Sequence, residues 1–294
     1  MKNNIYISIV GHSNTGKSSL VNFICNNYVT TESNKPQTTR VNLIHEVNYK
    51  ENKFFLYDTP GISLKNTDLL SSAMKNSYIK TLEFTNFLIV MMDVNSKDFQ
   101  YEQSIINLAK DHNIVIIIVV NKIDLLKDKN ELIKIKNKIQ TQFAHSIHLI
   151  SVKTKEGITE LLDMIKNSSI NSNTNNASTE VSVAQMKLSI QEIIRGVIND
   201  KAHGEVPYDT AVYVEKCQIS KALIKIEGII AVEKLNQKKI IIGKNGLMIK
   251  EIGIKSRSWL EKIYNKKFYI SLEVVVKKNW KNNYEFLKEI GYID

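Results

Sequence analysis

The stretch Gly11-His12-Ser13-Asn14-Thr15-Gly16-Lys17-Ser18 constrains this chain most, because it fits G-x-x-x-x-G-K-[ST], the phosphate-binding loop. Such a loop needs a strand before it and a helix after it. Ile5 to Val10 reads as a short β-branched strand, and Ser19 to Asn27 reads as a helix. Gly11 and Gly16 let the backbone turn tightly and bring its N–H groups to phosphate oxygens. The helix N-terminus adds positive potential there. Lys17 is then expected to bridge the β- and γ-phosphates, and the Ser18 hydroxyl to ligate Mg²⁺. His12, Ser13, Asn14, Thr15 and Ser19 complete the expected nucleotide contacts of the loop. A plain glycine turn would need neither the Lys nor the Ser.

Downstream, Val41 to Tyr49 and Phe54 to Tyr57 read as strands joined by a polar turn. Phe87 to Met92 and Ile114 to Val120 are continuous apolar runs, as in strands buried on both faces of a parallel sheet. Tyr101 to His112 and Asn130 to Ala144 have helical spacing, His148 to Ser151 is a short strand, and Gly157 to Lys166 a last helix. The alternation predicts an α/β domain over residues 1–166, with a doubly wound, mostly parallel sheet and its sites at the carboxyl ends of the strands.

Four further stretches fall at such places. Asp58-Thr59-Pro60-Gly61 follows a strand; Asp58 is expected to hold Mg²⁺ through water and the Gly61 N–H to meet the γ-phosphate. In Asn121-Lys122-Ile123-Asp124, Asp124 can accept hydrogen bonds from guanine N1–H and the 2-amino group. Adenine has no 2-amino group and an acceptor at N1, so a buried carboxylate left unpaired rejects it. Asn121 would brace the base and loops, and the Lys122 stem would cover the ring. Ser151-Val152-Lys153 offers a backbone N–H to guanine O6. In Pro36-Gln37-Thr38-Thr39-Arg40 one threonine, Thr38 or Thr39, would reach Mg²⁺ only when a γ-phosphate is present; Thr39 is carried forward as the candidate. Four stretches in this order specify GTP rather than ATP.

Ile62 stands where many small GTPases carry a water-orienting Gln. Hydrolysis is therefore expected to be slow or to recruit another group. In related GTPases with an apolar residue there, an Asn at the position of Asn14 ligates K⁺; the competing role for Asn14 is a loop cap. The candidate catalytic residues are Lys17, Asn14, Thr39 and Gly61.

A chain of 294 residues allows about two domains at roughly 100–200 residues each. Asn167 to Thr179, NSSINSNTNNAST, has almost nothing to bury and reads as part of a flexible linker over residues 167–180. Cys25 and Cys217 fall on either side of it, which argues against a disulfide framework and for a reducing cytoplasm. No apolar run reaches the ~18 residues of a membrane span. The first strand begins too close to Met1 to leave room for a signal peptide.

Residues 181–294 restart the pattern as an α+β domain. Val181 to Asn199 reads as an amphipathic helix, Asp209 to Cys217 and Ala222 to Lys234 as strands, Lys244 to Tyr264 as mostly helical and Phe268 to Lys277 as a strand. From Lys234 to Lys281 there are 13 basic and 3 acidic residues, so this stretch alone matches the whole chain's net charge of +10. Such a patch points to an anionic partner, nucleic acid before membrane. Within it, Gly243-Lys244-Asn245-Gly246 sits between Ile240–Ile242 and Leu247–Ile249, the G-x-x-G frame of a KH domain. The two glycines allow close approach of a nucleic-acid backbone, and Lys244 and a helix N-terminus supply charge. Lys239, Lys250, Lys255 and Arg257 lie close by in sequence and join the candidate RNA-binding set.

The motifs together resemble the Era family of GTPases nearly end to end. The resemblance rests on GHSNTGKSS, KPQTTR, LYDTPG, VNKID, the Ile193-Ile194-Arg195 helix, Glu205-Val206-Pro207-Tyr208, QKKIIIGKNGLMIKEIG, Lys278-Asn279-Trp280 and the terminal Gly291-Tyr292-Ile293-Asp294. It departs at Val152, where the family has Ala, and in a short loop from Gln218 to Ala222. Propensity favours a strand at Lys238–Ile242, whereas the resemblance implies a short helix there, as in a type II KH domain.

The resemblance implies a GTPase that assists small ribosomal subunit assembly and binds the 3′ end of the small-subunit ribosomal RNA. It further implies a cytoplasmic monomer, with room for peripheral contact at the inner face of the cell membrane. GTP and GDP states are expected to differ in switch loops Lys35–Arg40 and Gly61–Asn66 and so to change RNA affinity. GTPases of the tRNA-modification or large-subunit type share the phosphate loop but lack a KH tail. A pure RNA-binding module would not need Lys17, Ser18, Asp58 and Asp124 intact.

Overall fold

The computed structural model describes the chain apart from residues 1–3, 27–28, 30–39, 60–67, 127, 169–182 and 294. The first half contains strands β1 (Asn4–Gly11), β2 (Leu43–Tyr49), β3 (Asn52–Asp58), β4 (Phe87–Asp93), β5 (Val115–Asn121) and β6 (Ser146–Leu149). Its helices are α1 (Lys17–Ile24), α2 (Leu69–Leu82), α3 (Gln100–Ala109), α4 (Lys129–Gln142) and α5 (Ile158–Ser168). The strands form one sheet in the order β2-β3-β1-β4-β5-β6, and only β2 runs antiparallel to its neighbour. The six residues Phe87–Met92 are all buried, as their unbroken apolar run requires for a strand covered on both faces. One face packs Leu20, Val21, Leu161 and Ile165 from α1 and α5; the other packs Tyr78, Leu82, Ile105 and Ile139 from α2, α3 and α4. Strand order reverses between β1 and β4, so the loop after β1 opens into the crevice where ligands bind in such sheets.

The second half contains α6 (Val183–Lys201), β7 (Thr210–Ile219), β8 (Leu223–Val232), α7 (Leu235–Ile242), α8 (Leu247–Tyr264), β9 (Lys267–Val276) and α9 (Tyr284–Glu289). Its three-stranded sheet has the order β7-β8-β9, with β7/β8 antiparallel and β8/β9 parallel. Helices α6 and α8 close one face around Ile194, Ile226, Ile252 and Leu260. On the other face Ala211 and Ala231 lie under Trp280, Phe286 and Leu287. That second cluster continues into Val41, Leu43, Leu70 and Met74 of the first half, so the two domains share an apolar joint.

The expected architecture stands, with local corrections. The α5 helix runs to Ser168, so Asn167 and Ser168 are helical and not linker; the rest of the linker lies outside the described residues. The last strand of the first sheet ends at Leu149 and not Ser151, because Ser151 leaves the sheet to bridge Glu156 across a tight loop. Lys238–Ile242 is helical, as the family resemblance implied against propensity. Gln237 explains this: it is fully buried, its Oε1 accepts from Lys234 N at 3.0 Å, and its Nε2 donates to Asp209 Oδ2 at 2.8 Å. The β7–β8 turn is indeed short, held by Leu223 N donating to Ser220 Oγ at 3.0 Å. The α2 and α9 helices were not expected from the sequence.

Candidate functional site

Gly16 turns the phosphate loop at φ +98, and a Cβ there would lie 2.3 Å from Asn121 Nδ2, so only glycine fits. That closeness ties two motifs together. Asn121 Nδ2 donates to Thr15 O at 2.8 Å, and Asn121 Oδ1 accepts from Val152 N at 3.1 Å. One side chain from the end of β5 thus braces both the phosphate loop and the loop carrying Ser151, Val152 and Lys153. Asp124 Oδ1 accepts from Ser151 Oγ at 2.6 Å, which fixes the carboxylate in the wall of the cleft. Lys153 Nζ stands 3.9 Å from Asp124 Oδ2, at the exposed rim. Lys122 adopts φ 68, and its Nζ pairs with Asp93 Oδ2 at 2.6 Å. The cleft measures about 730 Å³ and is lined by Gly16, Ser19, Asn121, Lys122, Asp124 and Val152 among others.

At the phosphate end, Lys17 Nζ donates to Gly11 O at 2.8 Å and His12 O at 2.9 Å. Burial pulls the Lys17 ammonium down to about 8, against the opposing pull of Asp58 and Glu102. Asp58 is fully buried at the end of β3, and Thr59 Oγ1 beside it donates to Ile9 O at 2.8 Å. The Ser18 hydroxyl and the Asp58 carboxylate supply hard oxygen donors, the chemistry Mg²⁺ takes. Ser13 and Asn14 form the turn of the loop, with Asn14 at φ 65. Thr39 and Gly61, with both expected switch loops up to residue 39 and from residue 60, lie outside the described residues. Sequence reading missed two residues here. Asp93 anchors Lys122, and Glu102 of α3 sits buried near Lys17 and His12. Burial holds the Glu102 carboxyl above the usual range, partly offset by its own backbone N–H and by His12 and Lys17.

In the second domain, Gly243 has φ +74, and an added Cβ would lie 2.6 Å from Met248 Cβ and 2.8 Å from Met248 N. Glycine therefore lets α7 turn directly into α8. Lys244 and Asn245 are exposed at that turn, with Gly246 at the N-terminus of α8. Beside it a groove of about 390 Å³ runs between α8 and edge strand β9, lined by Ile249, Lys250, Gly253, Ile254, Arg257 and Tyr269. Lys250 and Arg257 thus reach the groove, and Lys239 is exposed on α7. Lys255 does not line it: this lysine points to α6 and pairs with Asp200 at 3.2 Å. Trp280 is fully buried at the domain joint, and Trp259 packs against the second domain's core.

Residues 6–122 match the family model described as 50S ribosome-binding GTPase, and residues 205–281 match the KH domain model. The chain is 33% identical to the GTPase Era of Lactobacillus delbrueckii subsp. bulgaricus, over 98% of this chain and 95% of that protein. The chain belongs to the Era family of GTPases. Its backbone follows a crystal structure of an Aquifex aeolicus Era variant bound to GDP.AlF4-, with TM-score 0.87, 29% identity and full coverage of both chains. It follows equally an Era structure in complex with MgGDPNP and nucleotides 1506–1542 of 16S ribosomal RNA, with TM-score 0.86, 28% identity and full coverage of both. Among the described residues no helix of this Era-family chain is long and apolar enough to cross a membrane.

Proposed function

We propose that this Era-family chain binds and hydrolyses GTP, binds the 3′ end of small-subunit ribosomal RNA, and assists small-subunit assembly. One observation carries the reading. Over its whole length the chain shares the fold of an Era seen with MgGDPNP and a 16S ribosomal RNA segment, and it carries the residue types each partner needs. The nucleotide-binding domain is residues 1–168 and the RNA-binding domain residues 181–294.

Asp124 reads guanine N1–H and the 2-amino group, a backbone N–H of the Ser151-Val152-Lys153 loop meets O6, and Lys122 covers the ring. The backbone from Gly11 to Ser19 and the Lys17 ammonium hold the phosphates. Ser18 and Thr39, with Asp58 through water, would hold Mg²⁺, which when bound supplies positive charge at the phosphates. Ile62 cannot orient a water, so turnover is slow; Asn14 would ligate K⁺, which would supply positive charge at the phosphates. Lys239, Gly243, Lys244, Asn245, Gly246, Lys250 and Arg257 hold the RNA backbone along the groove, while Lys255 contributes through its charge alone. The protein works in the cytoplasm as a monomer bound to the small ribosomal subunit, with peripheral membrane contact as a secondary association.

The test is turnover and RNA binding in one preparation. GTP is expected to be hydrolysed and ATP at least ~100-fold less well, with Lys17→Ala inactive and an RNA carrying the ribosomal 3′ end bound. Turnover without RNA binding would favour a GTPase of the modification or large-subunit type. RNA binding without turnover would mean a vestigial nucleotide fold.

A further inference from the structure

We propose that Arg40 couples the nucleotide site to the RNA groove, as a side chain of the first domain seated inside the second; this rests on the GTP and RNA reading above. Arg40 is 2% exposed, and its described polar partners all belong to the second domain. Its Nη1 donates to Thr210 O at 2.7 Å and its Nη2 to Tyr208 O at 2.8 Å. Its guanidinium lies 5.5 Å from the centre of the Trp280 ring. Its backbone N–H donates to Glu192 Oε2 at 2.9 Å. Arg195 holds that glutamate from the next turn of α6, with Nη2 at 2.6 Å from Oε2 and Nε at 3.1 Å from Oε1.

A guanidinium pulled out of such a seat would leave a bare charge and two unpaired carbonyls in the interior. Arg40 therefore moves with the second domain. The residue before it is Thr39, the candidate γ-phosphate-dependent Mg²⁺ ligand, and neighbouring Cα atoms are about 3.8 Å apart. There is no slack: a shift of Thr39 by more than a few ångström must move Arg40 and its seat, or break the seat. A second contact across the joint starts helix α2. Eight residues after Gly61, Leu69 N donates to Asn282 Oδ1 at 3.1 Å, and Leu70 and Met74 pack with Phe286, Leu287 and Ile290.

Two rigid elements continue from the seat to the groove. Strand β9 runs from Tyr269, in the groove wall, toward Trp280 in the seat. Helix α6 carries Glu192 and Arg195, and farther along pairs with α8 through Lys201 to Glu251 and Asp200 to Lys255. Tyr292 is buried in the same joint, beside Trp280, Phe286 and Ile290.

The measurement is the affinity of the full chain for a single-stranded RNA carrying the 3′ end of small-subunit ribosomal RNA. It is taken by fluorescence anisotropy with Mg²⁺ and either GDP or a non-hydrolysable GTP analogue. The parent ratio of the two affinities is expected on the order of tenfold, within the usual range for coupled sites. Arg40→Lys keeps the charge but loses the two-pronged donor, and is expected to bring the ratio within about twofold of one. GDP affinity, which uses the phosphate loop and base pocket, is the control. By reciprocity the effect of RNA on GTP-analogue affinity should collapse equally. Asn282→Ala, at the exposed second anchor, is expected to move the ratio about threefold toward one and carries the test if Arg40→Lys does not fold. A folded Arg40→Lys protein, or failing that Asn282→Ala, with the parent ratio would overturn the proposal. A parent that binds both ligands with a ratio of one would overturn it too and leave the function standing. Failure to bind GTP or RNA at all would remove the functional reading and this proposal with it.

Discussion

Asp124 and Lys17 show how far single side chains carry the nucleotide assignment. Asp124→Asn replaces an acceptor with a donor against the guanine 2-amino group. GTP affinity should fall by ~1.5–3 kcal/mol per charge-assisted bond removed, and xanthine nucleotides should bind better. Competition binding with the two nucleotides reads this, and unchanged GTP affinity would sink the assignment. The Lys17 ammonium, lowered to about 8 in the free protein, gives a pH test. Phosphates favour its charged form, so binding takes up a proton once the free lysine has lost its own. Nucleotide affinity should therefore be flat below pH 8 and fall above it, by up to about tenfold per unit. Flat affinity to pH 9.5 would contradict that. If Asn14 ligates K⁺, turnover should be higher in K⁺ than in Na⁺, and Asn14→Ala should erase the difference. These residues were legible because each sits in a contiguous motif. Asp93 and Glu102 were not, because separate elements bring them to the site and neither stands in a motif.

At the scale of elements, legibility followed how many faces a segment buries. Strands β4 and β5 were readable as unbroken apolar runs. Helix α2 was not, since Tyr78 and Leu82 face the first domain's sheet while Leu70 and Met74 face the joint, which smears the 3.6-residue period. Helix α7 was legible only by resemblance: Ile240-Ile241-Ile242 favours a strand, and tertiary bonds of Gln237 override it. Gln237→Ala should accordingly cost the second domain about 1–2 kcal/mol, by losing the cap and unpairing Asp209 Oδ2. GTP binding should be unaffected. Chemical unfolding of the chain checks this, and an unchanged transition would mean that the helix is held by its apolar face alone.

On the scale of the whole molecule, two assignments meet: a guanine pocket in one domain and a basic G-x-x-G groove in the other. Both were legible in order and spacing, whereas the joint between them was not, because Arg40, Glu192, Trp280 and Tyr292 are scattered over the sequence. The positive excess of residues 234–281 is the feature most exposed to a generic explanation, a solvated lysine-rich surface. The most direct measurement is the salt dependence of binding to the ribosomal 3′-end RNA by the parent and by a protein carrying Lys244→Asp and Asn245→Asp. Those changes set negative charge against the RNA backbone and keep both turn glycines. Affinity should fall sharply in the double variant while GTP binding persists. The log–log salt slope should flatten by ~0.7 for each phosphate that the variant no longer neutralises. Parent affinity and parent slope in the double variant would contradict the account, leaving the basic stretch a general anionic surface and the second domain without its assigned partner.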